Sequence, residues 1–348
     1  MKVAPVMAAL RNRAAVQQTL VHTGQHYDVA MSDRFFSDLE IQAPDVFLRV
    51  GSGSHAQQTA MVMQRFDEAL TDRQPDMVVV YGDVNSTMAA ALVAVKRGVA
   101  VAHVEAGLRS GDLSMPEEVN RLVTDRIAHH LYTPSSDANE HLRAEGVADS
   151  AVHLVGNVMI DTLVKLLPKA DAGPLLRELD LTRDTTTTSF VLATLHRPSN
   201  VDDQTGLRAT LSAMVDIASQ APVIFPVHPR TLPHLDVTGL AHRRVLVVPP
   251  LSYLEFLDLQ RRASLVITDS GGVQEETTYL GVPCLTVREN TERPITVTLG
   301  TNELVGRDPE TLRRRAHAIL DGDRKQGAIP PLWDGLASQR IAKHLAGL

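Results

Sequence analysis

The feature that most constrains the fold is an alternation of short, almost continuously apolar runs with helical patterns along nearly the whole chain. Such runs are typical of strands buried on both faces of a parallel sheet, and the helices between them form the crossovers. The sequence therefore predicts an α/β protein with parallel sheets. The predicted strands read DMVVVYG, VAVAHV, HLYTP and AVHLVG in the first half, and SFVLATLH, PVIFPVH, RVLVVPP, SLVITD and VPCLTV in the second.

The length and the spacing of these runs predict two domains. The chain has 348 residues, which favours two domains with a core each. Residues 166–188 run from LLPKADAGP to TRDTTTTS and are interpreted as a polar hinge. This leaves doubly wound, Rossmann-like domains over residues 1–165 and 189–330. Ligands of such sheets bind beyond the carboxyl ends of the strands, so we expect the site in a cleft between the domains.

Charge and composition exclude several classes of function. Lys and Arg number 34 against 41 Asp and Glu, a net charge of -7, so no basic field indicates a nucleic acid or an anionic membrane as partner. Cys284 is the only cysteine and lies in the apolar stretch GVPCLTV, which excludes an intramolecular disulfide and predicts a core residue. No apolar run approaches the ~18 residues of a membrane span. With no signal peptide either, we expect a cytoplasmic chain.

The segment GSGSHA at residues 51–56 resembles a dinucleotide-binding fingerprint. That fingerprint belongs to the first strand-turn-helix unit and needs an acidic residue about 20 positions later, at the end of the next strand. Here the segment belongs to a later unit, and DRQPD precedes the next strand instead of ending it. We therefore interpret it as a helix-capping loop and expect no nicotinamide cofactor.

Carboxylates follow two predicted strands of the first half. Asp83 lies at a strand end in GDVNST, and Glu105 lies in HVEAGLRSGD, where four charged or titratable side chains fall within ten residues. The segment MPEEVNRLVTDRIAHH then begins a helix with Glu117 and Glu118 in its first turn, where they suit the helix dipole. So dense a polar cluster at the end of a strand is rarely only structural, which favours a functional site here. Capping is the alternative role for Asp83 and Glu118.

In the second half, two neighbouring strands each end in a histidine and an arginine. TLHRPSN contains His196 and Arg197, and PVHPR contains His228 and Arg230. A single histidine is more often structural, but two such pairs at adjacent strand ends favour a functional site. No spacing matches a zinc site or a nucleophile elbow, so no metal is expected.

The segment TDSGGVQEE combines groups that suit a nucleotide. Its glycines open a helix whose N–H groups would bind phosphate, and RENTERP supplies Arg288 and Arg293 for forked contacts with phosphate. Glu276 is placed to accept from vicinal hydroxyls. Phe256, in LSYLEFLDL, is either a stacking partner for a base or plain core.

With these motifs, the chain resembles the UDP-N-acetylglucosamine 2-epimerase family of the non-hydrolysing bacterial type. The resemblance implies the GT-B fold, a homodimer, and a last helix over residues 331–348 that packs back on the first domain. It also implies interconversion of UDP-GlcNAc and UDP-ManNAc without a redox cofactor, as a supply for surface polysaccharides. The matching motifs are TGQHYD, GDVNST, HVEAGLRSGD, PEEVNR, TLHRPSN, PVHP, TDSGGVQEE and TERP.

The resemblance also implies roles for individual residues. UDP leaves C1 as the C2 proton is removed, which gives 2-acetamidoglucal. A proton then returns to C2 from the other face, and UDP adds back to C1. The implied catalytic residues are Asp83, Glu105, Glu117 and His196. The implied substrate-binding residues are Lys2, Leu251, Phe256, Ser270, Gly271, Gly272, Glu276 and Arg293. Leu251 replaces a glutamine of some relatives, so a uracil contact there would use the backbone. The residues implied for an activating second UDP-GlcNAc are Gln25, His26, Arg197 and His228.

The sequence differs from the family pattern at the start of the chain. The family opens with a strand and Gly-Thr-Arg-Pro-Glu-Ala-x-Lys-x-Ala-Pro, whereas this chain starts inside that motif at MKVAPV. Because the first strand of a doubly wound sheet is central, we expect that restoring about 15 upstream residues would raise stability and activity together. The alternatives are a GT-B glycosyltransferase, a hydrolysing epimerase and an inactive nucleotide-sugar binder.

Overall fold

The computed structural model describes residues 1–348 except 12, 14, 15, 25–39, 184, 185 and 228–230. The chain divides into two compact units. Unit 1 comprises Met1–Thr162 and Pro331–Leu348, and unit 2 comprises Leu163–Pro330. None of the helices in the described residues is both long and apolar enough to cross a bilayer.

Unit 1 contains parallel sheets with helices between the strands. One sheet has two strands, β1 and β2, and the other has four in the order β3-β4-β5-β6. The elements are Val3–Arg11 (α1), Val21–His22 (β1), Val46–Phe47 (β2), His55–Arg73 (α2), Met77–Tyr81 (β3), Asn85–Lys96 (α3), Ala100–Val104 (β4), Pro116–Ile127 (α4), His130–Thr133 (β5), Ser136–Ala144 (α5), Val152–Leu154 (β6) and Val158–Leu166 (α6), the last of which continues into unit 2.

The start of α2 explains the glycine-rich segment at residues 51–56. Ser54 is the N-cap, and its side chain accepts a hydrogen bond from the backbone N–H of Gln57, while the Gln57 side chain accepts from the Ser54 backbone. This capping box satisfies two N–H groups that the helix leaves without intrahelical partners. The prediction of a helix-capping loop is confirmed.

Unit 2 contains a six-stranded parallel sheet in the order β11-β10-β9-β12-β13-β14 and a separate antiparallel pair of two-residue strands, β7 and β8. The six-stranded sheet has the doubly wound order 3-2-1-4-5-6, with its switch point between β9 and β12. Its elements are Gly173–Glu178 (α7), Thr182–Arg183 (β7), Thr186–Thr187 (β8), Val191–Thr194 (β9), Pro198–Val201 (α8), Gln204–Ile217 (α9), Val223–Pro226 (β10), Val237–His242 (α10), Val245–Val248 (β11), Tyr253–Arg262 (α11), Leu265–Thr268 (β12), Gly271–Leu280 (α12), Cys284–Thr286 (β13), Pro294–Thr298 (α13), Asn302–Leu304 (β14) and Pro309–Leu320 (α14).

The central strands of unit 2 are buried on both faces, as their apolar sequences predict. In β9, Val191 and Ala193 join one buried cluster, whereas Leu192 joins the cluster on the opposite face. Cys284 is also fully buried in β13, and burial raises the pKa of its thiol to about 11. The α/β class with parallel sheets is confirmed.

The segment expected to be a hinge, residues 166–188, instead belongs to the body of unit 2. Leu176 in α7 and Leu181 are buried in one cluster with Phe190 and Leu259. The polar composition of the segment conceals these spaced apolar residues, which pack on the sheet. The division between the units lies between Thr162 and Leu163.

The end of the chain forms the helix Ala337–Leu345 (α15) and belongs to unit 1. Ile341 of α15 packs in one buried cluster with Val6 of α1. Asp161 accepts the backbone N–H groups of Ala337 at 3.1 Å and Ser338 at 2.6 Å. The carboxylate therefore caps the start of α15 and fastens it to α6.

Candidate active site

Two carboxylates leave neighbouring strands at the same edge of unit 1. Because β3 and β4 are parallel and adjacent, Asp83 and Glu105 both follow carboxyl ends of the sheet. Between β3 and Asp83, Gly82 has a φ of 67°, and a Cβ there would lie 2.7 Å from Lys2 Nζ. Glycine at this position lets Lys2 approach the turn that carries Asp83.

Glu105 has an uncommon backbone conformation for a non-glycine residue. Its φ is 74°, in the left-handed region that costs roughly 1–3 kcal/mol. The side chain is buried and forms an ion pair with Lys2, and its backbone N–H donates to the Tyr132 carbonyl at 3.0 Å. Strain of this kind persists where the surroundings impose it, often at an active site.

A buried arginine connects Asp83 to the first turn of α4. Arg121 Nη1 lies 2.5 Å from Asp83 Oδ2, and Nη2 lies 2.6 Å from Glu118 Oε2. Glu118 also accepts the backbone N–H of Ser110 at 3.0 Å and of Gly111 at 2.8 Å. Burial on its own raises the pKa of Glu118, but these donors and Arg121 together lower it. Glu118 therefore serves to hold Arg121 and, through it, Asp83.

Glu117, the neighbouring residue, has a different environment. Its side chain is half-buried and makes no hydrogen bond or ion pair with the residues that the structure describes. Successive residues of a helix point about 100° apart. The Glu117 carboxylate is thus directed away from the contacts of Glu118 and can act on a ligand.

A second buried network supports the turn at Gly82. His103 Nδ1 lies 2.6 Å from Asp125 Oδ1, and Nε2 lies 2.8 Å from the Gly82 carbonyl oxygen. The ring is therefore held through both of its nitrogens, between a carboxylate and a backbone carbonyl. Arg109 Nη1 adds a contact of 2.7 Å to Asp125. Burial raises the pKa of Asp125, but the charges and hydrogen bonds of His103 and Arg109 outweigh it and lower the pKa.

In unit 2, a buried carboxylate joins the ends of β9 and β12 at the switch point. Asp269 accepts the backbone N–H of His196 at 3.1 Å and of Arg197 at 2.9 Å, and the Asn200 side chain at 2.9 Å. His196 Nδ1 lies 2.7 Å from Asp269 Oδ1. Burial raises the pKa of Asp269, but these hydrogen bonds, led by that of His196, lower it. The His196 ring is 56% exposed, so Nε2 can meet a ligand.

The start of α12 is the predicted anion site. Ser270 is the N-cap, and its side chain makes no capping hydrogen bond. Amide groups at a helix start carry partial positive charge and bind phosphate. A Cβ at Gly271 would lie 2.7 Å from Arg293 Cζ. Glycine at position 271 therefore lets the Arg293 guanidinium lie against the first turn of α12.

Arg293 is held in place by two buried carboxylates. Its Nε lies 2.8 Å from Glu275 Oε1, and its Nη1 lies 2.5 Å from Glu292 Oε1. Arg288 Nη2 contacts Glu292 Oε2 at 2.6 Å. Burial raises the pKa of Glu292, but Arg293 and Arg288 outweigh it and hold the pKa far below its usual range. Arg197 Nη2 also lies 3.6 Å from Glu292 Oε1. Three guanidinium groups thus face two carboxylates, so an anion would meet one net positive charge as well as directed N–H groups.

Glu276 and the predicted uracil residues lie beside this site. Glu276 is buried and accepts the Tyr253 hydroxyl at 2.8 Å and the Gln260 side chain at 2.7 Å. Burial raises the pKa of Glu276, and those two hydrogen bonds only partly offset it. Leu251 and Phe256 are half-buried and pack on the hydrophobic cluster of unit 2. Phe256 therefore contributes to the hydrophobic core of unit 2, which was one of the two roles considered for it.

Of the residues predicted for an activator site, Gln25, His26 and His228 lie outside the described residues. Arg197 is described, and its Nε donates to the Asp269 carbonyl at 3.2 Å.

Arg121 and Asp269 were not predicted as site residues, although each has a signal in the sequence. In α4, Glu118, Arg121 and Asp125 follow the i, i+3, i+7 spacing that normally carries the apolar face of a helix. Charges at these positions indicate a buried ionic network. Asp269 directly follows the fully buried strand β12, at the position where ligand-binding residues of such sheets occur.

Comparison with known proteins identifies the family. Residues 8–346 match the family model for UDP-N-acetylglucosamine 2-epimerase. A UDP-N-acetylglucosamine 2-epimerase from Methanococcus maripaludis is 37% identical over 99% of this chain and 95% of its own length. A UDP-2,3-diacetamido-2,3-dideoxy-D-glucuronate 2-epimerase from Pseudomonas aeruginosa is 39% identical over 100% of this chain and 96% of its own.

A solved structure is similar over the whole chain. The Methanocaldococcus jannaschii UDP-GlcNAc 2-epimerase, in complex with UDP-GlcNAc and UDP, has a TM-score of 0.88 and 37% identity, and the match covers 100% of this chain and 96% of that one. The GT-B fold implied by the resemblance is confirmed. The chain therefore belongs to the UDP-N-acetylglucosamine 2-epimerase family and is an enzyme of the epimerase class.

Proposed function

We propose that the protein interconverts UDP-GlcNAc and UDP-ManNAc without hydrolysis, by eliminating UDP to 2-acetamidoglucal and adding it back. In the first step the C1–O bond breaks with its electron pair going to UDP, the C2 proton goes to a carboxylate, and a C1–C2 double bond forms. The second step reverses these events with the proton delivered to the other face of C2. Elimination and addition need no electron acceptor, so no redox cofactor enters the proposal.

Unit 2 holds the leaving group in this proposal. The observation that carries it is the pair formed by His196 and the buried Asp269, which directly precedes the helix start at Ser270 and Gly271. The amide groups of that turn and Arg293 bind the diphosphate. His196 donates to the departing oxygen from Nε2 while Nδ1 stays on Asp269. Charge that develops on the leaving group is thereby stabilised where it appears.

Unit 1 supplies the proton transfers. Asp83 and Glu105 end neighbouring strands, and Glu117 begins α4 without a partner in the described part of the chain. Inversion at C2 needs removal of a proton from one face of the carbon and delivery of a proton to the other face. Two acid or base groups, one on each face, do this more readily than a single group. Each positioned acid or base contributes roughly 10²–10⁴-fold to the rate. Lys2 beside Glu105 keeps positive charge near the reacting carbon.

The remaining contacts of the proposal concern the nucleoside. Glu276 accepts from the ribose hydroxyls, exchanging or sharing the contacts it makes with Tyr253 and Gln260. Phe256 and the backbone of Leu251 contact uracil. Arg197 contributes to a second nucleotide-sugar site that activates the enzyme.

We further propose that the active form is a homodimer. Val119 is 43% exposed and lines an apolar groove with Met63 and Met88. A second copy that covers this groove would remove these side chains from water. Sedimentation velocity of the purified protein at micromolar concentration measures the assembly state.

The reaction is tested by incubating the protein with UDP-GlcNAc in D₂O and following the sugars by NMR. We expect UDP-ManNAc with deuterium at C2. Appearance of ManNAc without UDP attached would indicate the hydrolysing reaction, and transfer to an added acceptor would indicate a glycosyltransferase. Binding of UDP with no exchange would indicate a nucleotide-sugar binder. A parallel reaction with the 2,3-diacetamido glucuronate sugar tests the substrate of the Pseudomonas aeruginosa relative.

The anion site makes a separate prediction. Gly271→Ala places a methyl group 2.7 Å from Arg293 Cζ, so we expect the guanidinium to be displaced and the Kd for UDP to rise at least about tenfold, which is ~1.4 kcal/mol. Isothermal titration calorimetry with UDP measures the change. Gly347→Ala is the control, because its Cβ makes only an ordinary contact of 3.5 Å. An unchanged Kd in Gly271→Ala would remove Arg293 from the diphosphate site.

A further inference from the structure

Three histidines meet at one place in unit 1, away from the carboxylates. His130 begins β5, His153 lies in β6, and His344 lies in the last turn of α15. One ring nitrogen of each lies within 4.8 Å of those of the other two. The ring centroids of His153 and His344 are 4.0 Å apart, and those of His130 and His344 are 5.2 Å apart. His130 is at the amino end of its strand, whereas Asp83 and Glu105 follow carboxyl ends.

Two nitrogens in this histidine cluster have no hydrogen-bond partner. His130 Nδ1 and His153 Nε2 are both buried and unpaired in the part of the chain that the structure describes. A buried polar nitrogen without a partner is unfavourable and needs an explanation. Burial, together with the proximity of His344, lowers the pKa of His130 and of His153.

The third ring is oriented by a tyrosine. Tyr132 Oη lies 2.8 Å from His344 Nδ1. When Nδ1 carries the hydrogen and donates it to the hydroxyl, Nε2 of His344 keeps its lone pair for a ligand. A hydrogen bond from the second ring nitrogen is the usual support for a metal-binding histidine. The negative end of the α15 dipole also favours a cation beside His344.

We infer that His130, His153 and His344 bind one divalent transition-metal cation, of which Zn²⁺ best suits the donor set. Imidazole nitrogens suit zinc, copper and nickel, whereas Mg²⁺ and Ca²⁺ require oxygen ligands. Zn–N bonds of about 2.0–2.1 Å place tetrahedral ligands about 3.4 Å apart. Ring nitrogens that lie within 4.8 Å of one another therefore need to close by no more than about 1.4 Å on binding. A water molecule completes the four ligands. The ion joins α15 to the edge of the sheet.

The test uses the full-length protein without an affinity tag, after treatment with a chelator. Titration calorimetry with Zn²⁺ should give one ion per chain, and Co²⁺ should give the visible absorption of a tetrahedral site. Zn²⁺ should raise the melting temperature, whereas Mg²⁺ at the same concentration should not. His153→Gln and His130→Gln should each weaken Zn²⁺ binding at least about 100-fold, and Tyr132→Phe about tenfold.

His242→Gln is the matched control, because it removes an exposed histidine of unit 2 and should bind Zn²⁺ as the parent protein does. Circular dichroism of each metal-depleted variant checks that it is folded. Absence of stoichiometric Zn²⁺ binding by the folded parent protein would overturn the proposal. So would folded His130→Gln and His153→Gln variants that bind Zn²⁺ within threefold of the parent.

Discussion

Glu117→Gln should lower kcat for UDP-GlcNAc epimerisation about 10²–10⁴-fold, the contribution of one positioned acid or base, and leave the melting temperature unchanged. Glu117 has no partner among the described residues, so the amide takes its place without breaking a contact. The Kd for UDP should also stay the same, because the nucleotide is assigned to unit 2. NMR of the sugar products gives kcat, and calorimetry with UDP gives the Kd.

The adjacent residue is a matched control for this prediction. Glu118→Gln weakens contacts with Arg121 and with the N–H groups of Ser110 and Gly111. Breaking a buried pair of this kind costs about 3 kcal/mol or more, so Glu118→Gln should lower the free energy of unfolding measurably. The two substitutions make the same chemical change one residue apart. A normal kcat in Glu117→Gln would eliminate it as a catalytic residue, and a loss of stability equal to that of Glu118→Gln would make its role structural.

The longer strands were predictable because strands that are buried on both faces have an almost continuously apolar sequence. All nine runs predicted as strands correspond to β3–β6 and β9–β13. The two-residue strands β1, β2, β7 and β8 were not predicted, and neither was β14, which has only three residues and begins with the polar Asn302. That asparagine is buried and accepts the Thr286 hydroxyl at 2.6 Å, a long-range contact between strands that no local pattern indicates.

The sequence predicted where polar residues lie relative to the strands, but not which residues they pair with. Parallel strands bring their carboxyl ends to one edge of their own sheet, and this reasoning placed Asp83 and Glu105 at the edge of one sheet and His196 at the edge of another. It did not find Arg121, which reaches Asp83 across 38 positions of the chain. Asp269 and His196 are separated by 73 positions. Such pairs depend on strand order, and a single sequence does not reveal that β9 lies beside β12.

The second large effect concerns Asp269. Asp269→Asn should lower kcat about 10²–10⁴-fold and also reduce the free energy of unfolding by about 2–4 kcal/mol, because the buried amide cannot accept from every donor that now faces the carboxylate. His196→Asn should lose a similar factor in kcat and little stability, since its ring is 56% exposed. Product NMR and chemical denaturation measure the two quantities separately.

Asp258→Asn controls for the loss of a buried carboxylate in the same unit. Asp258 is fully buried, accepts the Ala172 backbone N–H at 2.7 Å and pairs with Arg261, so its replacement should reduce stability and leave kcat near that of the parent. The double variant Asp269→Asn with His196→Asn decides how Asp269 acts. If the carboxylate works through the imidazole, the double variant should lose no more of kcat than His196→Asn alone. Fully additive losses would instead give Asp269 an effect on the reaction that does not pass through His196.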